Sequence, residues 1–184
     1  YELKAYAGQT YQPRRLKLML ADFDALCLRW DNAEKLYREL IDSRATTKEQ
    51  TAVALRCLGT SMVFRNRPED AQKIMEELVE NYARFPSCYN ALMRLAKVHQ
   101  NDREKSLDLL RQAEKIAPSD DEAAHALHEA GRILQYAHGD YPAARKVWAE
   151  IQEKYPKSNR WVDNAEKRIA HSLKREEQRK NSNR

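Results

Sequence analysis

Four times along the chain, a small residue that follows an apolar or small one is answered ten to thirteen positions later by a second small residue, with a bulky one a helical turn beyond it. The four sets are Leu20-Ala21 with Ala33 and Tyr37, Leu58-Gly59 with Ala71 and Met75, Leu95-Ala96 with Ser106 and Leu110, and Ala130-Gly131 with Ala144 and Trp148. The first small residues recur at intervals of 38, 37 and 35. On a helix, a small side chain lets a neighbouring backbone come close, and the bulky residue one turn later fills the gap. A repeat of this period restricts the chain to a stack of similar units, each too small to bury its own apolar face.

The unit is helical. Apolar residues fall at helical spacing, as in Leu16, Leu20, Phe23 and Leu26, in Ile74, Leu78 and Val79, and in Val147, Trp148 and Ile151, whereas two-residue alternation is absent. Helix starts are written at Thr46-Thr47-Lys48-Glu49-Gln50 and Ser119-Asp120-Asp121-Glu122, which read as capping boxes, and at Pro68 and Pro142, which suit a first turn. Pro86, Pro118 and Pro156 each follow a long amphipathic stretch and interrupt its hydrogen-bond ladder. With only 4 glycines in 184 residues, sheet turns and phosphate-cradling loops lack material, so the expected class is all-α. These marks predict four helical hairpins at 14–43, 47–84, 87–117 and 120–155, and a last helix over 158–179.

On these residues the chain resembles the tetratricopeptide-repeat family. The fourth unit carries the fullest pattern: Glu129-Ala130-Gly131, the turn Gly139-Asp140-Tyr141-Pro142, Ala144, Trp148 and the closing Tyr155-Pro156. The third ends in Ile116-Ala117-Pro118, and the second holds Leu58-Gly59 with Ala71. The first unit lacks a closing Pro, the second is lengthened before Pro86, and the third is short in its turn. The resemblance implies a right-handed superhelix of antiparallel hairpins over 14–157. An amino-terminal segment (1–13) precedes it, and a capping helix with a basic tail (158–184) follows.

Charge is unevenly placed. The net +5 is carried by the ends: Lys4, Arg14, Arg15 and Lys17 against Glu2 in the first seventeen residues, and Lys167, Arg168, Lys174, Arg175, Arg179, Lys180 and Arg184 against three acids in the last twenty. The body between them is slightly acidic, so an RNA-binding reading rests on the two ends, where Tyr1, Tyr6 and Tyr11 offer stacking surfaces. Cys27, Cys57 and Cys88 are odd in number and widely spaced, which reads as buried free thiols and a reducing compartment. No apolar run reaches membrane-spanning length. The chain begins at Tyr1 rather than Met and shows no signal-peptide core, so it reads as a processed form or a fragment.

Chemistry finds no constellation. His125 and His128 are three apart on one helical face with Glu129 beside them, but no further zinc ligands accompany them, and they read as surface or groove histidines. No nucleophile elbow, redox cysteine pair or Gly-rich nucleotide loop is present. The expectation is a non-catalytic module with no cofactor and no metal.

The family resemblance implies where such a module binds: its inner face is lined by residues one after, three before and six before the small first-helix marker. Those places hold Asp22, Leu18 and Arg15; Thr60, Arg56 and Val53; Lys97, Met93 and Asn90; and Arg132, His128 and His125. Arg56, Thr60, Asn90, Lys97, His125, His128 and Arg132 are therefore the expected contacts for an extended peptide or partner helix. Arg56, Lys97 and Arg132 suit an acidic or carboxyl-bearing segment. The alternatives are an RNA-associated repeat protein and, from Glu153-Lys154-Tyr155-Pro156-Lys157-Ser158, a bacterial cell-envelope assembly factor.

Overall fold

A computed structural model describes residues 13–182, with side chains from 14 to 178. Readings that fall on residues 1–12, and on the side chains of Arg179, Lys180 and Arg184, lie outside the described residues. Nine α-helices follow one another among the described residues, with no strand: α1 (Pro13–Leu26), α2 (Trp30–Ile41), α3 (Lys48–Phe64), α4 (Pro68–Tyr82), α5 (Tyr89–Val98), α6 (Arg103–Ile116), α7 (Asp120–Tyr136), α8 (Tyr141–Lys154) and α9 (Asn159–Ser182). A single 3-10 turn, Pro86–Cys88, leads into α5. The structure divides into two compact units between Ile74 and Met75, within α4, a division the repeat pattern does not announce.

The helix ends follow the local signals. Thr47 accepts from the Gln50 backbone while the Gln50 side chain accepts from that of Thr47, a complete capping box at the start of α3. Ser119, Asp102 and Asp140 cap α7, α6 and α8. One feature the residue types hide is how the hairpins turn. Leu28, Asn66 and Gly139 all have positive φ, near 60°, and each stands two residues before the second helix of its hairpin. After Leu28 and Asn66, the next backbone N–H reaches five residues back, Arg29 to Asp24 and Arg67 to Met62, and so closes the preceding helix end. Glycine or asparagine is the usual occupant there; at Leu28 the packing of the hairpin imposes the conformation on a residue that resists it.

In the first unit, α1 packs on α2 and α2 on α3. Ala21, Ala33, Tyr37, Leu55, Leu58 and Met62 form the core. α1 is helical as predicted, yet its Leu16, Leu20, Phe23 and Leu26 stripe stands exposed. The packed face is the opposite one, through Leu18, Ala21, Asp22 and Ala25. Cys27 also departs from expectation: it lies exposed in the α1–α2 turn, because the helix has already ended at Leu26. Cys57 is half-buried and Cys88 buried, so only Cys88 fits the expected buried thiol.

In the second unit, α5 packs on α6, α6 on α7, α7 on α8, and α8 on α9, which also meets α7. Every small repeat residue here, Ala96, Ser106, Gly131 and Ala144, is buried with its bulky partner Leu110 or Trp148. A Cβ built on Gly131 would stand 2.2 Å from the Trp148 Nε1, so glycine is required for the indole to lie across α7. The indole N–H is satisfied by the His128 carbonyl at 3.2 Å. Charged groups tie the second helices together outside this core: Glu114 accepts from Arg111, Lys154 and Tyr155, and Arg111 reaches Glu150 through two bonds of 2.9 Å.

Candidate functional site

In the first unit, three of the residues implied by the repeat register, Asp22, Arg56 and Thr60, meet at one cavity of about 330 Å³. Its walls come from the end of α1 (Ala25, Leu26), the start and middle of α2 (Trp30, Tyr37) and the length of α3 to Phe64. Trp30 and Phe64 stack at 6.3 Å with their planes 16° apart. Leu26 and Phe64 stand 83% and 73% exposed at the rim, an apolar edge that a polar partner would leave unfilled.

The polar groups of the cavity are not equivalent. The Tyr37 hydroxyl donates to Asp22 at 2.6 Å; burial, followed by that bond to a carboxylate, drives its pKa up. Thr60 and Ser61 donate to carbonyls of their own helix. Burial pushes the Cys57 thiol up to about 11, which keeps it un-ionised and a poor nucleophile. Among the described residues, the Arg56 guanidinium donates to the Cys57 sulfur at 3.4 Å and pairs with no carboxylate. Its guanidinium is thus the donor with capacity to spare.

In the second unit, Lys97 and Arg132 line a smaller cleft of about 60 Å³ together with Met93, Gln100, Glu129 and Tyr136. What the register did not show is that Arg132 is already occupied, by two contacts of 2.8 and 3.1 Å to Glu129. Burial works against the charge of Glu129, but the neighbouring His128 and the paired Arg132 outweigh it and hold its pKa near 2. Lys97 is exposed there and has no ion pair among the described residues, and Asn90 is exposed one turn before Met93 on α5.

His128 is buried rather than a surface or groove residue, and His125 is half-buried. Trp161 of α9 covers both: His125 stacks on it at 4.6 Å and 14°, and His128, only 6% exposed, lies 5.1 Å from it and 6.4 Å from Trp148. His128 Nδ1 is 3.5 Å from Glu129 without hydrogen-bond alignment. The Tyr89 hydroxyl donates to the Glu122 carbonyl and lies 3.2 Å from His125 Nδ1. The packing of α9 on α7 thus removes these two side chains from an open surface. Among the described residues no group of three His, Cys, Asp or Glu is placed to hold a metal ion, and no helix is long and apolar enough to cross a membrane.

Comparison with known proteins agrees with this architecture. The sequence profile of the family described as tetratricopeptide repeat matches residues 125–158, the unit with the fullest pattern. No curated protein sequence matches the chain. Among solved structures, one titled MamA protein superposes with a TM-score of 0.57 at 16% identity, over 91% of this chain and 94% of that one. Another, MamA AMB-1, gives 0.59 at 14% identity over 89% and 82%. BtubC from P. vanneervenii gives 0.53 at 16% identity over 91% and 68%. The class is therefore plain: an all-α helical-repeat protein. One of its repeats, residues 125–158, matches the tetratricopeptide-repeat model, and the solved structures, at 14–16% identity, share the helical-repeat fold.

Proposed function

We propose that the chain is a non-catalytic scaffold that holds a partner protein, as an extended peptide or a helix, through the inner faces of its first helices. The observation that carries this reading is the cavity of the first unit, where Arg56 and Thr60 stand beside exposed apolar side chains. In the second unit, the cleft lined by Lys97 and the Arg132–Glu129 pair supports the same reading. An open cavity whose half-buried Cys57 thiol and buried Tyr37 are held un-ionised offers no activated nucleophile, whereas it suits side-chain capture. The RNA reading has less support. Arg168 donates to the Tyr136 hydroxyl, and the exposed cations of α9 among the described side chains are Arg160, Lys167, Lys174 and Arg175, with Arg160 lying over the Trp161 ring.

The test is a comparison of proteins retained from native lysate by the full chain and by the Arg56→Ala, Lys97→Ala, Arg132→Ala triple variant, with circular dichroism to confirm equal helicity. At least one protein should be held by the wild type and lost by the variant. Identical retained sets would remove the inner-face reading.

A further inference from the structure

The first-unit cavity has a chemical bias that the general scaffold reading does not state. In its apolar part Leu26 and Phe64 are exposed and Trp30 is half-buried, and the Trp30 and Phe64 rings, stacked on each other, offer an apolar surface against which a third flat or branched group can pack. In its polar part, the Tyr37 hydroxyl donates to one oxygen of Asp22 and the Thr60 and Ser61 hydroxyls donate to their own helix, so acceptor capacity remains on Asp22 while the unspent donor capacity is on Arg56. A guanidinium without a carboxylate partner at the edge of an apolar cavity is best completed by a carboxylate that brings an apolar neighbour with it. The volume, about 330 Å³, lies at the lower end of ligand-sized pockets and fits a side chain or two rather than a folded surface.

From these features the geometry points to a bipartite recognition element: an internal Asp or Glu that pairs with Arg56, next to an aromatic or large aliphatic side chain that enters between Leu26, Trp30 and Phe64. This rests on the scaffold reading and assigns its first contact. An internal Asp or Glu can supply this carboxylate, and peptides without a free terminal carboxylate separate that case from capture of a chain end.

Selection of heptapeptides displayed by their carboxyl ends, which therefore carry no free terminal carboxylate, tests this on the full chain. Enriched sequences should hold Asp or Glu within two positions of Phe, Tyr, Trp, Leu, Ile or Met. The consensus, synthesised as an acetylated and amidated peptide, should bind the wild type. Arg56→Ala and Phe64→Ser should each weaken it roughly tenfold or more, and Arg56→Lys should fall between. Phe64 is exposed, so its variant should fold, which circular dichroism checks. Failure to enrich any peptide, enrichment without an acid, or affinity unchanged in both variants would overturn the assignment. If binding ignored Arg56 and Phe64 but was lost in a Lys97→Ala, Arg132→Ala variant, the recognition element would fall while the scaffold reading stood. Insensitivity to all four positions would sink both.

Discussion

Gly131 carries the tightest contact of the repeat pattern, and its consequence is measurable. The absence of a side chain lets the Trp148 indole lie across α7, fully buried and bonded to the His128 carbonyl. Gly131→Ala would force that indole to shift in a core with no space to receive it, at a cost of about 1 to 3 kcal/mol despite the better helix propensity of alanine. Denaturant unfolding should show a lower midpoint; an unchanged or higher one would mean that the indole has room. The sequence already marked this position as small, because the small-then-bulky spacing records the contact. It could not mark Leu28, whose positive φ is imposed by the α1–α2 turn on a residue type that gives no hint of it.

Between elements, the packing of α9 on α7 makes a titration visible. His125, stacked on Trp161 and facing Tyr89, has its pKa lowered, chiefly by burial and further by His128 and Arg160, with Glu129 and Glu122 opposing. Because the folded value lies below the unfolded 6.5, the unfolded chain takes up its proton first. The contribution is therefore whole above pH about 6.5 and is lost as pH falls through the folded value. Wild-type melting temperature should drop from pH 7.5 to 5.5, and the drop should be smaller in His125→Phe, which keeps a ring against Trp161 without the charge. An equal drop in both would assign the effect elsewhere. Helical periodicity reveals that His125 and His128 share a face of α7, but it is silent on what covers that face. That depends on where Trp161, more than thirty residues later, is delivered.

At the scale of the whole molecule, the net +5 is gathered at the ends, and several of the cations between them are spent on internal pairs: Arg65 and Arg67 with Glu34, Arg103 with Asp140, and Arg111 with Glu114 and Glu150. Phosphate contacts are then left to the ends, and on the scaffold reading the log-log salt dependence of binding to a single-stranded RNA should be shallow, with a slope of magnitude below about 3. A steeper slope would restore the RNA reading. The all-α class, the helix boundaries and the small contact residues were legible in the sequence because capping, proline placement and side-chain size act over a few residues. The exposure of the α1 stripe, the pairing of Arg132 with Glu129, the covering of His125 and His128, and the gathering of Arg56 with Trp30 and Phe64 around one cavity were decided only by tertiary structure. Each depends on which side chains from distant segments arrive at the same place, and periodicity within one helix carries no record of its neighbours.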